Sequence, residues 1–145
     1  MSAETSTETD AGAGPLPAGA PDELDRPFWE ACRRHELLVH RCEVCGRAYW
    51  PATCCVEHGG DAMAWVPAAG TGTLHTWTVY HHAYTAQHAD RVPYIVAVVR
   101  LDEGPFVHTG LVDCPPEACR VGLPVEVVFE DRADGTTLPY FRPAG

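Results

Sequence analysis

The sequence contains no lysine; all 10 basic residues are arginine, set against 20 acidic ones for a formal net charge of −10. A duplex-binding surface needs clustered cations to displace condensed counterions, so this balance argues against general nucleic-acid affinity. No apolar run approaches the roughly 18 residues that a membrane-spanning helix requires. The opening MSAETSTETD has neither the basic start nor the apolar stretch of a secretory signal. No internal repeat, phosphate-cradling glycine loop, paired carboxylates or Ser/His/Asp order stands out. These absences predict a cytoplasmic protein, away from membranes, that is poorly equipped to catalyse a reaction alone.

What is present bounds the answer further. The 145 residues and 15.8 kDa suffice for one ordinary domain or a small domain with an appendage, and 46% apolar residues can furnish a core. Residues 1–26 differ from the rest: they are mostly Ala, Gly, Pro, Ser, Thr and acid, with Leu16 and Leu24 the main large apolar side chains. Such a stretch cannot bury enough surface to offset its ordering entropy, so it is expected to be a disordered acidic tail. Its six acids and Arg26 account for −5 of the net charge, which leaves −5 for residues 27–145.

A short helix is expected from Pro27 to about His35. Proline suits a first helical turn, and Phe28, Ala31, Cys32 and His35 form one apolar stripe. Beyond it the signals are strands and turns. Leu37–Arg41 is a short strand. Over 71–81, Leu74, Thr76, Thr78 and Tyr80 share one face, with Thr73, His75, Trp77 and Val79 on the other. The nearly unbroken β-branched run over 94–101 suits a central strand, and further strands are expected at 106–112, 125–130 and 138–142. Five short strands, with one helical turn near 115–122, suggest a small Greek-key barrel.

Seven cysteines in a reducing compartment more often hold metal than pair as disulfides. The sharpest signal is Cys42-Glu-Val-Cys45-Gly46, matched by Cys55-Val-Glu-His58-Gly59. Each half sets two soft or borderline ligands two residues apart and then a glycine, which lets a tight turn aim both side chains at one ion. Cys42, Cys45, Cys55 and His58 make a closed tetrahedral set of three thiolates and an imidazole. Such donors favour structural Zn2+ over oxygen-seeking magnesium or calcium. Cys54 adjoins Cys55 and competes with it for the third place. Cys32, Cys114 and Cys119 are expected to be packing residues. Tyr80, His81, His82 and Tyr84, with His88, form an aromatic, imidazole-rich loop suited to contact with a partner or substrate.

Taken in order and spacing, these residues resemble the DUF35 family of small zinc-ribbon plus OB-fold proteins. The resemblance spans about residues 28–143. It is carried by Phe28-Trp29, Leu37 to Gly46, Tyr49-Trp50-Pro51, Trp65, Gly70-x-Gly72 and the runs PYIVAVVRLDEG (93–104), VGLPVEVVF (121–129) and LPYFRP (138–143). It departs from the family pattern at His58, where a second cysteine is usual, and in a slightly shorter linker between the knuckles.

The resemblance implies a mainly β fold: an N-terminal helix with a rubredoxin-like zinc ribbon over 27–66, then a five-stranded OB-fold barrel over 67–145. It further implies a non-catalytic, obligate partner of thiolase-like (lipid-transfer-protein-type) enzymes acting on acyl-CoA. These include thiolases, acyltransferases and steroid side-chain aldolases. Ribbon and helix would dock on that partner, which supplies the catalytic groups, while the barrel helps form the passage for the CoA thioester. Zinc ribbons and OB barrels also serve single-stranded nucleic-acid binding, with Trp77 and the Tyr80–Tyr84 loop as a platform, but the acidic charge opposes that alternative.

Overall fold

In a computed structural model the described residues are 23–57 and 59–145, so most of the expected tail (1–22) and His58 lie outside them. Helix α1 runs Arg26–Arg33 with Pro27 in its first turn, and it buries Phe28, Ala31 and Cys32. The side chain of Asp25 accepts a hydrogen bond from the Trp29 indole at 3.1 Å, tying the turn before the helix to its first residues. Burial pushes the Cys32 thiol up to about 12, which makes it a packing group as expected.

The helix is shorter than its apolar stripe predicts. His35 takes a left-handed φ of 58°, and the chain closes with Glu36 N–H on the Ala31 carbonyl at 3.0 Å and His35 N–H on that of Cys32 at 2.9 Å. This crossed pair satisfies the last carbonyls and ends the helix. The His35 ring, half exposed, leaves the stripe and stacks on Phe129 at 5.2 Å, where it also meets both carboxylate oxygens of Asp131 at 3.0 and 3.1 Å.

A small antiparallel sheet follows, in the order β2-β1-β3, from β1 (Leu38–Cys42), β2 (Ala48–Tyr49) and β3 (Met63–Pro67). His40 pairs in register with Trp65 and stacks on it at 4.4 Å. Burial lowers the His40 pKa, and its Nδ1 accepts the Ala52 N–H at 3.3 Å. A neutral imidazole can therefore pack against the indole without stranding a charge.

The remaining strands close into a barrel ordered β4-β5-β6-β8-β7: β4 (Thr71–Tyr80), β5 (Tyr94–Leu101), β6 (Phe106–Leu111), β7 (Pro124–Asp131) and β8 (Thr137–Pro143). Antiparallel pairing of β4 with β7, Gly72 opposite Val125, and a parallel Leu111–Phe141 contact between β6 and β8 complete the closure. β5 turns Ile95, Ala97, Val99 and Leu101 inward, as befits a strand walled in on both sides.

β4 does not keep the clean alternation its sequence predicts. A bulge between Leu74 and Thr76 absorbs His75 and exchanges the faces. Leu74 is buried before it, while Trp77 and Val79, not Thr76 and Thr78, pack on the core after it. Phe28, Cys32, Leu37 and Val39 belong to the same apolar cluster as the barrel's Leu74, Val125 and Phe141. Helix, small sheet and barrel thus share one core. Among the described residues no helix is long and apolar enough to cross a membrane.

Candidate functional site

The two cysteine knuckles repeat one backbone pattern. Gly46 N–H bonds the Cys42 carbonyl at 2.9 Å and Cys42 N–H bonds that of Arg47 at 2.9 Å; Gly59 N–H bonds the Cys55 carbonyl and Cys55 N–H that of Gly60, both at 2.8 Å. Gly46 and Gly59 sit at φ of +76° and +66°, the left-handed region that glycine enters without a Cβ clash. The result is a single cluster: the sulfurs of Cys42, Cys45 and Cys55 all lie within 4.8 Å of one another, with Cys45 and Cys55 at 3.6 Å. A tetrahedral zinc–thiolate site with ~2.3 Å bonds has sulfurs about 3.8 Å apart, so this donor set suits the ion. Cys54 is exposed and stands outside the cluster, whereas Cys55 is fully buried.

The surroundings favour the thiolate at Cys55 and oppose it at Cys45. The Tyr49 hydroxyl 3.4 Å from the Cys55 sulfur, then the Glu57 backbone N–H and the neighbouring thiols, draw the Cys55 thiol down to about 6. Tyr49 in turn accepts the Val56 N–H at 3.1 Å, which orients its proton toward sulfur. For Cys45 the Arg47 backbone N–H favours the thiolate, but desolvation and the adjacent sulfurs outweigh it and the pKa rises. Arg47 also pairs with Glu57, linking the two knuckles outside the sulfurs.

The barrel carries the second feature, a cleft of about 600 Å³ whose lining includes His88, Tyr94, His108, Thr109, Gly110 and Tyr140. A smaller cavity of about 190 Å³ lies between helix and barrel, walled by Phe28, Trp29, Leu37 and Trp50. Both cavities share His108, Thr109, Gly110 and Tyr140, so Tyr140 and this stretch of β6 form the partition between them. The ring lies close on Gly110, where a Cβ would stand 2.6 Å from it. Among the described residues the buried Trp50 indole N–H finds no partner. Arg91, on the cleft wall, is held by Glu130 through bonds of 2.7 and 3.1 Å, so its charge is largely matched.

Of the expected contact residues, Tyr80 stacks on Tyr94 at 5.1 Å and meets Tyr84 edge-on at 6.0 Å, while His82 meets Tyr84 at 5.0 Å. His81 is exposed beside them. None of the four is among the described lining residues of the cleft; Tyr80, His82 and Tyr84 form a ring cluster with Tyr94, and His88 on Tyr94 at 4.5 Å joins that cluster to the cleft. Nothing in the sequence marks Tyr94 and Tyr140 as cleft residues, because each occupies an ordinary strand position. Only the barrel's closure brings them to one wall.

Fold and cluster define a class: an OB-type barrel joined to a cysteine-knuckle sheet. Residues 65–130 match the family model described as the C-terminal OB-fold domain of ChsH2. A DUF35 domain-containing scaffold protein of Methanocaldococcus jannaschii is 33% identical over 118 residues, covering 76% of this chain and 83% of its own. The chain belongs to the DUF35 family. It is also 37% identical over 122 residues to a probable enoyl-CoA hydratase alpha subunit of Thermomonospora curvata, covering 83% of this chain but only 38% of that protein's length. Among solved structures, a chain of an Ltp2-ChsH2(DUF35) aldolase superimposes with a TM-score of 0.78 at 34% identity, covering 87% of this chain and 98% of that one.

Proposed function

We propose that this chain is a non-catalytic accessory subunit of a thiolase-like enzyme complex acting on acyl-CoA thioesters. The complex makes or breaks a carbon–carbon bond, and retro-aldol removal of a steroid side chain is one of the reactions the family resemblance implies. The observation that carries the reading is the match over nearly the full length of a chain from an aldolase assembly. The site supports it from another direction. The cleft and cavity offer an apolar recess beside a wider, ring-lined opening, suited to an amphipathic thioester. Arg91, the one arginine among the cleft's described lining residues, is engaged by Glu130, so the CoA phosphates would find their cations on the partner.

Cys42, Cys45 and Cys55 would hold a structural zinc ion, with His58 as the fourth ligand because it occupies the place in its knuckle that Cys45 occupies in the other. Bound there, zinc supplies a cross-link between the two knuckles. Tyr49 holds the charge on Cys55, and the Arg47–Glu57 pair holds the knuckles together. The exposed Val44 and Val56 at the two knuckle tips suit docking on the catalytic chain.

Co-expression with the thiolase-like enzymes of its source genome, followed by size exclusion, tests the proposal. The two chains are expected to elute together, with acyl-CoA turnover by the pair and none by this chain. Separate elution, with the partner fully active alone, would overturn it.

A further inference from the structure

We propose that Cys114 and Cys119 are a redox-active dithiol at the rim of the barrel cleft, which closes to an intrachain disulfide. The connection from β6 to β7 is pinned at both ends: Val112 N–H bonds the Phe141 carbonyl and Gly122 N–H that of Leu74, each at 2.8 Å. Between these anchors a single 3₁₀ turn, Pro116–Ala118, folds the chain back, with Ala118 N–H on the Pro115 carbonyl at 2.9 Å. The turn brings two sulfurs five residues apart in sequence to 4.0 Å, both facing the Pro115 carbonyl. Bond formation needs a further approach of about 2 Å, within reach of side-chain rotation.

Three observations separate this pair from the other cysteines. Among the described residues the only group of three or more metal-type ligands is Cys42, Cys45 and Cys55, so the pair lacks the donors of a closed metal site. Both sulfurs are partly accessible, unlike that of the buried Cys32. Cys114 and Pro116 also line the cleft, so closing the ring alters its wall. Burial, with Cys114 beside it, holds the Cys119 thiol up at about 11, so exchange begins at Cys114.

With oxidised glutathione as oxidant, the Cys114 thiolate attacks one glutathione sulfur, forming a mixed disulfide and releasing one glutathione. The Cys119 sulfur then attacks Cys114, the protein disulfide forms, and the second glutathione leaves. The two protons lost from the protein thiols end on the two glutathiones, which take up the two electrons.

Trypsin cleaves after Arg100 and Arg120, which isolates both residues in one peptide, 101–120, with no other cysteine. The full chain is equilibrated in glutathione redox buffers, quenched in acid, alkylated and digested. In oxidising buffer this peptide should be unlabelled and lighter by two hydrogens than its dithiol form. The folded chain should also reach half-oxidation at a glutathione ratio about tenfold more reducing than the free synthetic peptide does, because the fold holds the sulfurs together. A doubly alkylated peptide, glutathione persisting on Cys114, or equal oxidation of chain and free peptide would overturn the proposal.

Discussion

At the scale of single residues, small differences in placement decide chemistry. Cys54 and Cys55 are neighbours in sequence, yet one is exposed and the other wholly buried beside two more sulfurs. Cys45→Ser is therefore expected to abolish zinc retention, while Cys54→Ser keeps about one ion per chain, read by elemental analysis. Glu130 illustrates a charge effect. Hydrogen bonds donated by Arg91 hold its carboxyl below the ordinary value of 4.5. A depressed folded pKa means that the stabilisation is present above the unfolded value and is lost as pH falls through the lower folded one. Urea midpoints should fall below about pH 4.5, and Arg91→Gln should flatten that fall. Gly110→Ala would press a methyl into the Tyr140 ring at 2.6 Å. It should cost about 1–3 kcal/mol in chemical denaturation, the usual toll of overpacking.

At the scale of elements, the helix depends on its docking face rather than on its own length. Phe28 is 2% exposed and meets Trp29 and Trp50 edge-on at 5.1 and 4.9 Å. Phe28→Ala is expected to destabilise the protein by about 3–5 kcal/mol in denaturant titration, since an eight-residue helix has little stability alone. The same elements show what sequence can and cannot convey. The knuckles are legible because ligand spacing and a following glycine form a local rule that needs no distant contact. The helix end is not, because His35 is recruited by Phe129 and Asp131, which lie on another strand. The second half of β4 is misread because one bulged residue, His75, exchanges inside for outside without altering composition. The cleft is the least legible feature. Tyr94, His108 and Tyr140 come from three strands, and only the closure order brings them together.

At the scale of the whole molecule, the shared core makes sheet and barrel one folding unit. Val39 beside the knuckles and Val125 in the barrel are both fully buried in the same cluster. With zinc held at the knuckles as proposed, removing it with a chelator should therefore lower the melting temperature by several degrees in a single calorimetric transition. Two separate transitions would show that ribbon and barrel melt independently.

The partition between cleft and inner cavity combines a stretch of β6 with a tyrosine ring resting on its glycine. A ring can rotate or be replaced without re-registering a strand. Substitution at position 140 alone could therefore widen or narrow the part of the partition that the ring supplies. Descendants of this scaffold could then change the depth of the cleft by one codon, with the hydrogen-bonded frame of the barrel left intact.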